Sequence, residues 1–204
     1  MHRVEVGTPS GPAWVDIDKP SGSSDILLVL GHGAGGGVET PDLVAVRDAA
    51  ILAGITVARV TQPYRVAGRK APAPAPRLDE AWIAVVGELR TRPDLADLTL
   101  VQGGRSSGAR VACRTAAATS AVAVIALAFP VHPPGRPERT RLDELDLTLV
   151  PTLVVQGDRD AFGMPPPGSN RQVVVIPGAD HSLKRDVTLT AQAVLDFVAR
   201  LRSA

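Results

Sequence analysis

The chain has 204 residues, of which 45% are hydrophobic, and this is enough for one domain with a sizeable core. Its 22 basic and 21 acidic residues nearly cancel, and no basic run alternates with aromatic residues, which argues against a nucleic-acid partner. The longest wholly apolar run, Ala121 to Phe129, is far below the roughly 20 residues that cross a bilayer, which argues against a membrane protein.

The single cysteine and the first residues bear on the cellular compartment. Cys113 cannot form an internal disulfide, and we interpret it as core packing without a catalytic role. Residues 1–6 carry an acid where a signal peptide has an apolar run. We therefore expect a cytoplasmic protein with a single domain over residues 1–204.

Patterns typical of strands and helices alternate along the chain. A β-hairpin is predicted first, with strands at 2–6 and 13–17 around a turn rich in Gly and Pro. Segments rich in Pro at 65–76 and 130–139 are predicted to be irregular. The remaining predicted elements are strands at 26–30, 55–60, 98–102, 122–129, 152–156 and 173–176, and helices at 42–53, 78–90, 107–118 and 186–202.

This order of elements predicts the fold class. Strand–helix units joined by short turns imply an α/β fold, with a mainly parallel, doubly wound sheet and helices on both faces. No insertion between the strands at 122–129 and 152–156 is long enough for a lid domain. Ligands of such sheets bind beyond the carboxyl ends of the strands, so we expect an open, shallow site there.

A sharp turn follows the predicted strand at 98–102. Gly104–Gly108 has the form G-x-S-x-G, in which a strained central serine presents its hydroxyl at the sheet edge. Chain packs closely on both sides of such a turn, so the residues two before and two after the serine must be small. Ser106 meets this condition, whereas Ser107 is flanked by Arg105 and Ala109. We predict Ser106 as a nucleophile; the structural alternative is a helix-capping serine in a glycine-rich turn.

A serine nucleophile needs a base, and histidine titrates closest to neutral pH. His2 lies in the hairpin, His32 in a glycine loop and His132 after the strand at 122–129. His181 lies after the last strand and before the last helix, the position of the base in the α/β-hydrolase order of nucleophile, acid and histidine. We predict His181 as the base.

The acid should lie between the serine and the histidine in the sequence. Gly157-Asp158-Arg159-Asp160 follows the strand at 152–156, and the strand followed by G-x-x-D favours Asp160, with Asp158 as the second choice. The carboxylate would hold the imidazole in the productive tautomer and stabilise the imidazolium.

The glycine loop, residues 31–37, follows the strand at 26–30. We predict that it supplies one backbone N–H of an oxyanion hole, from Ala34 or, as a second choice, Gly35. The other N–H would come from Ser107, the residue after the nucleophile.

The same loop raises one alternative. Gly31-x-Gly33-x-x-Gly36 resembles a dinucleotide-binding fingerprint, and Arg59 could meet a 2′-phosphate. The helix, however, starts several residues after the glycines, and a nucleotide site leaves the serine, acid and histidine motifs unexplained. We therefore expect no organic cofactor, and no metal is implied.

Four further residues are candidates for the substrate site. His132, Tyr64 and Phe162 are placed where they would line a pocket beside the nucleophile, although a solvated loop position is the alternative for His132. Arg105 could attract an anionic substrate or point to solvent, and the sequence leaves both open.

Taken together, these motifs resemble small α/β-hydrolases of the dienelactone-hydrolase-like type, in a branch with a testis-expressed protein and a subunit of the non-specific lethal chromatin complex. The resemblance runs from Ile26 to the C-terminus and rests on residues 31–36, 104–108, 132–138, 156–160 and 180–182.

The resemblance implies a hydrolase with the Ser106, Asp160 and His181 triad. Dienelactone hydrolases proper use a cysteine nucleophile, so their specific activity is not expected. We predict a serine hydrolase that cleaves a small carboxylic ester or thioester through an acyl-serine intermediate. Because the chromatin relative suggests that some members are scaffolds, the second hypothesis is a catalytically idle interaction module.

Overall fold

Eight strands form one sheet in the computed structural model, which describes residues 2–203. The first two strands form an antiparallel hairpin joined to the sheet by an antiparallel contact between β2 and β4, and the remaining strands are parallel. The order across the sheet is β1-β2-β4-β3-β5-β6-β7-β8. The strands are β1 His2–Thr8, β2 Gly11–Asp18, β3 Ile26–Gly31, β4 Thr56–Thr61, β5 Thr99–Arg105, β6 Ala123–Leu127, β7 Thr152–Gly157 and β8 Arg171–Ile176.

Helices cover both faces of this sheet, and none within residues 2–203 is long and apolar enough to cross a bilayer. The long helices α1 and α6 pack against each other on one face, and α3 and α4 do so on the other. The helices are α1 Pro41–Leu52, α2 Pro63–Val66, α3 Ala75–Thr91, α4 Ser107–Thr119, α5 Leu142–Asp146 and α6 Val187–Arg202.

The alternation of side chains along β3 explains why its sequence is continuously apolar. Leu28 belongs to the same core cluster as Leu43 of α1 and Phe197 of α6. The next side chain along the strand points to the other face, where Val29 shares a cluster with Trp82 of α3. Because helices bury both faces, every position of the strand is apolar or glycine.

The predicted fold class is confirmed: the sheet is mainly parallel, helices lie on both faces, and residues 128–151 between β6 and β7 hold only the short helix α5 instead of a lid domain. Several boundaries differ, and the short helix α5 was not predicted. Helix α2 and the first turn of α3 lie in or beside the segment predicted as irregular, because proline is favourable in the first turn of a helix. Strand β5 continues through Gly103 and Gly104, which pair with both neighbouring strands.

Candidate active site

The turn between β5 and α4 places Ser106 at the carboxyl edge of the sheet. Ser106 has φ 53° and ψ −107°, a strained conformation for a residue with a side chain. Its backbone N–H donates to the Leu127 carbonyl oxygen at 2.9 Å, which ties the turn to the end of β6. The strand, the tight turn and the helix together hold the hydroxyl in one place.

The glycines on either side of Ser106 are required by contact with β3. A Cβ atom on Gly104 would lie 2.5 Å from the Gly31 carbonyl oxygen, and one on Gly108 would lie 2.4 Å from the same atom. Real Cβ atoms do not approach a backbone oxygen so closely. The G-x-S-x-G spacing therefore follows from the packing of the turn against β3.

We expect Gly108→Ala to lower the free energy of unfolding by about 1–3 kcal/mol or more, because the added methyl group must displace backbone. Urea denaturation measures this effect. Gly87→Ala is the matched control: its Cβ would lie in open space on α3, so stability should stay the same or rise by about 0.5–1 kcal/mol. Equal stability of both variants would contradict a tightly packed turn at residues 104–108, here called the elbow.

Two hydrogen bonds link the three residues predicted as a triad. The Oγ atom of Ser106 lies 2.9 Å from Nε2 of His181, and Nδ1 of His181 lies 2.8 Å from Oδ2 of Asp160. Since a carboxylate only accepts, Nδ1 carries the proton and Nε2 is left to accept from the serine hydroxyl. This is the tautomer in which a histidine can act as the base for a serine.

Asp160 is held by partners on both of its oxygens. Its buried Oδ2 lies 2.8 Å from the Gln156 amide nitrogen, and its Oδ1 accepts from the Phe162 backbone N–H at 2.8 Å. The Gln156 amide also lies 2.8 Å from the Gly163 carbonyl oxygen. The sequence analysis assigned no role to Gln156, although a polar residue at the end of an apolar strand was a signal. The second choice, Asp158, is exposed and instead accepts from Gly178 N–H at 2.7 Å.

Arg105 points into the protein, which answers the question that the sequence left open. Its guanidinium forms an ion pair with the fully buried Asp42 at 2.9 Å (Nε to Oδ2). It also donates from Nη2 to the backbone carbonyl of His181 at 2.9 Å. Arg105 thus joins the turn around Ser106 to the first turn of α1 and to the loop that carries His181 (the histidine loop).

The glycine loop is held in place by hydrogen bonds from the side chains of His32 and Tyr64. The backbone N–H of Gln62 donates to Nε2 of His32 at 3.1 Å, so the imidazole carries its proton on Nδ1, which lies 2.8 Å from the Gly33 carbonyl oxygen. Burial lowers the pKa of His32, which favours this neutral form.

Tyr64, predicted to line the substrate pocket, lies instead behind the glycine loop. Its hydroxyl donates to the Ala34 carbonyl oxygen at 2.8 Å, its ring contacts His32 with centroids 5.8 Å apart, and burial raises its pKa to about 12. A buried phenol needs a hydrogen-bond partner, and the loop carbonyl supplies one. Tyr64 therefore orients Ala34, whose N–H is the predicted oxyanion donor. The second predicted donor, Ser107, begins α4, where backbone N–H groups have no intrahelical acceptor.

We expect wild-type stability to fall as the pH drops below about 6.5, since His32 has a folded-state pKa below its unfolded value and the unfolded chain then binds more protons. The contribution of neutral His32 to the free energy of unfolding is fully present above pH 6.5. It is lost at up to about 1.4 kcal/mol per pH unit as the pH falls towards the folded-state pKa of His32. Urea denaturation at pH 7.5 and 5.5 should show a smaller loss for His32→Gln than for wild type. A His2→Gln variant, at an exposed position, controls for removal of an imidazole. Identical pH dependence of wild type and His32→Gln would contradict this expectation.

A cavity of about 320 Å³ opens beside Ser106. Its polar lining consists of Ser106, Ser107, Arg110, Arg141 and His181. Its apolar lining consists of Ala34, Pro72, Pro130, Pro134 and Phe162. This volume lies at the lower end of the range found for small-molecule sites, about 300–1,000 Å³.

Phe162 and His132, both predicted to line the pocket, take different positions. The Phe162 ring lies edge-on to the His181 ring with centroids 4.3 Å apart, so it forms part of the wall next to the base. His132 lies behind Phe162, with ring centroids 6.3 Å apart, and its Nδ1 is 3.0 Å from the Pro133 carbonyl oxygen. His132 is not among the cavity-lining residues, whereas Phe162, whose ring lies near both imidazoles, is one of them.

The dinucleotide alternative gains no support from the geometry. Arg59 is fully buried and is occupied by Asp18 at 3.3 Å and Glu39 at 2.8 Å, so it does not face a phosphate site. Helix α1 starts at Pro41, beyond the glycines. Within residues 2–203 no group of three His, Cys, Asp or Glu is arranged to hold a metal ion. Cys113 is buried, and burial raises its pKa to about 12, which leaves an unreactive thiol.

Comparison with known proteins gives a family match over most of the sequence. Residues 24–202 match the family described as alpha/beta hydrolase domain. A search of curated proteins gave no match.

Several solved structures are similar over nearly the whole chain. A serine hydrolase without a lid from Xanthomonas campestris is 22% identical with a TM-score of 0.81, covering 98% of this chain and 94% of its own. Est1E from Butyrivibrio proteoclasticus is 19% identical with a TM-score of 0.82, and each chain is covered completely (100%). Dienelactone hydrolase from Anabaena variabilis is 21% identical with a TM-score of 0.74, covering 96% of this chain and 94% of its own. At these identities the similarity shows a common fold.

Proposed function

The chain belongs to the alpha/beta hydrolase domain family, and from this we propose that it is a serine hydrolase that cleaves a small carboxylic ester or thioester through an acyl-serine intermediate. The observation that carries the proposal is the continuous hydrogen-bonded path from Ser106 through His181 to Asp160. It is supported by the strained backbone of Ser106 and by the cavity that opens onto its hydroxyl.

In the first half of the reaction, Oγ of Ser106 forms a bond to the carbonyl carbon while Nε2 of His181 takes its proton. The carbonyl electron pair moves to the oxygen, where the N–H groups of Ala34 and Ser107 donate to it, each worth roughly 3 kcal/mol of barrier. The intermediate then expels the alcohol or thiol, which takes the proton from His181, and leaves the acyl-serine.

In the second half, His181 removes a proton from water, and the resulting oxygen attacks the acyl carbon. Collapse of this second intermediate breaks the bond to Oγ, returns the proton to Ser106 and releases the carboxylic acid. Asp160 stabilises the imidazolium in both halves without being protonated itself. The finer relationship to the dienelactone-hydrolase-like branch with the testis-expressed and chromatin proteins stays a prediction.

We expect a fluorophosphonate probe to label the wild-type protein covalently and to leave Ser106→Ala unlabelled, because only an activated serine attacks the phosphorus centre. Mass spectrometry of the intact protein measures the adduct. Ser169→Ala, which removes an exposed hydroxyl remote from the cavity, is the matched control and should label as wild type does. A folded wild-type protein without an adduct would contradict the mechanism and favour the idle interaction module.

A further inference from the structure

Two arginines line the cavity beside the nucleophile, and one of them is already paired. Arg110 follows Ser106 by one helical turn, and its backbone N–H donates to the Ser106 carbonyl. Its guanidinium binds Glu144 through two contacts, one of them 2.7 Å between Nε and Oε2. Glu144 also accepts from Arg114, which in turn pairs with Asp79 at 2.6 Å.

The second cavity arginine, Arg141, has no such partner. Its backbone N–H donates to the Val131 carbonyl at 2.7 Å, which fixes this part of the chain at the cavity. Its guanidinium has no ion pair or side-chain hydrogen bond with any part of the chain that the structure describes. It is half-buried and keeps its charge, although burial and then the nearby Arg110 charge lower its pKa.

The charges around the cavity are out of balance. The group of charges around Glu144 contains three arginines, at 110, 114 and 141, and two carboxylates, Glu144 and Asp79, so it carries one positive charge in excess. No carboxylate is among the described residues that line the cavity. A half-buried cation without a partner is unfavourable, and an anion bound in the cavity would relieve it. The planar fork of a guanidinium fits a carboxylate through two parallel hydrogen bonds.

We propose that Arg141 binds a carboxylate of the substrate, so that this site selects esters or thioesters that carry a free carboxylate on the acyl or the leaving group. This inference rests on the proposed function and names its substrate class. A single uncompensated charge matches a carboxylate better than a doubly charged phosphate group.

Two matched substrate pairs test the preference. Mono-4-nitrophenyl adipate and 4-nitrophenyl hexanoate differ by a carboxylate on the acyl side, and 4-carboxyphenyl acetate and its methyl ester differ on the leaving-group side. We expect wild type to prefer the anionic member of at least one pair. In Arg141→Gln the ratio of kcat/KM between anionic and neutral members should fall by about 10- to 100-fold, the range of one charge-assisted hydrogen bond. Arg139→Gln removes an exposed charge from the same segment and should leave the ratio unchanged.

The outcomes separate this inference from the proposed function. Hydrolysis of both members of each pair with no preference, or an equal loss on both in Arg141→Gln, would overturn the carboxylate site while leaving the serine hydrolase intact. Absence of hydrolysis together with absence of fluorophosphonate labelling would overturn both. Calorimetric binding of mono-4-nitrophenyl adipate to Ser106→Ala needs no turnover. That binding should weaken by about tenfold or more when Arg141→Gln is added, and unchanged binding would also overturn the inference.

Discussion

Replacing His181 by alanine is expected to lower kcat for ester hydrolysis by about 10⁴- to 10⁶-fold, the range found when one member of a serine triad is removed. The physical reason lies in the 2.9 Å contact between Nε2 of His181 and Oγ of Ser106. Without it no group removes the proton of the hydroxyl during attack, and none activates water to release the acyl group. Hydrolysis of a short 4-nitrophenyl ester, followed by release of nitrophenolate, measures the effect.

The double variant makes this prediction sharper. Residues that act as one unit are strongly non-additive, so Ser106→Ala combined with His181→Ala should be no slower than either single variant. His2→Ala removes an exposed imidazole in the opening hairpin and should retain wild-type activity. A double variant that is slower by the product of the two single effects would show that Ser106 and His181 contribute independently, against the proposed mechanism.

Elements governed by local pattern could be predicted from the sequence. The strand β3 is apolar throughout because helices cover both faces, and that pattern is legible without coordinates. The elbow could be located because only glycine fits at positions 104 and 108 against Gly31. This steric requirement produces the G-x-S-x-G spacing that is visible in the sequence. The serine, the acid and the histidine each follow a strand of the sheet. Their order could therefore be predicted once the alternation of strands and helices had been recognised in the sequence.

Side-chain directions could not be predicted in the same way. Tyr64 was expected in the pocket wall, but the backbone carbonyl of Ala34 offers its hydroxyl a partner that no local pattern reveals. Arg105 turns inward because it forms an ion pair with the buried carboxylate of Asp42. That residue lies on α1, more than sixty residues earlier in the chain. Arg141 reaches the cavity through an irregular segment whose path depends on tertiary contacts such as that with Val131. Tyr64 and Arg105 depend on partners 30 and 63 residues away in the sequence, whereas the Val131 contact of Arg141 lies ten residues away within the same irregular segment.

The sequence motif favours Asp160 over Asp158 as the acid, and exchanging each carboxylate for an amide should separate the two residues strongly. Asp160→Asn is expected to lower kcat by about 10⁴-fold, because the three donors around this carboxylate all require an acceptor. An amide supplies one oxygen and one NH₂ group. If the NH₂ faces His181, the imidazole must carry its proton on Nε2 and can no longer accept from Ser106.

Asp158→Asn is the matched control, since an amide oxygen can still accept from Gly178 N–H, and its kcat should stay within about threefold of wild type. Initial rates at saturating short-chain ester measure both variants, and the free energy of unfolding shows whether either has lost its fold. A comparable loss of kcat in the two variants, or a loss in Asp158→Asn alone, would contradict the role of Asp160. Full activity of a folded Asp160→Asn variant would mean that packing by Phe162 and the Arg105 contact to the histidine loop are sufficient to orient His181.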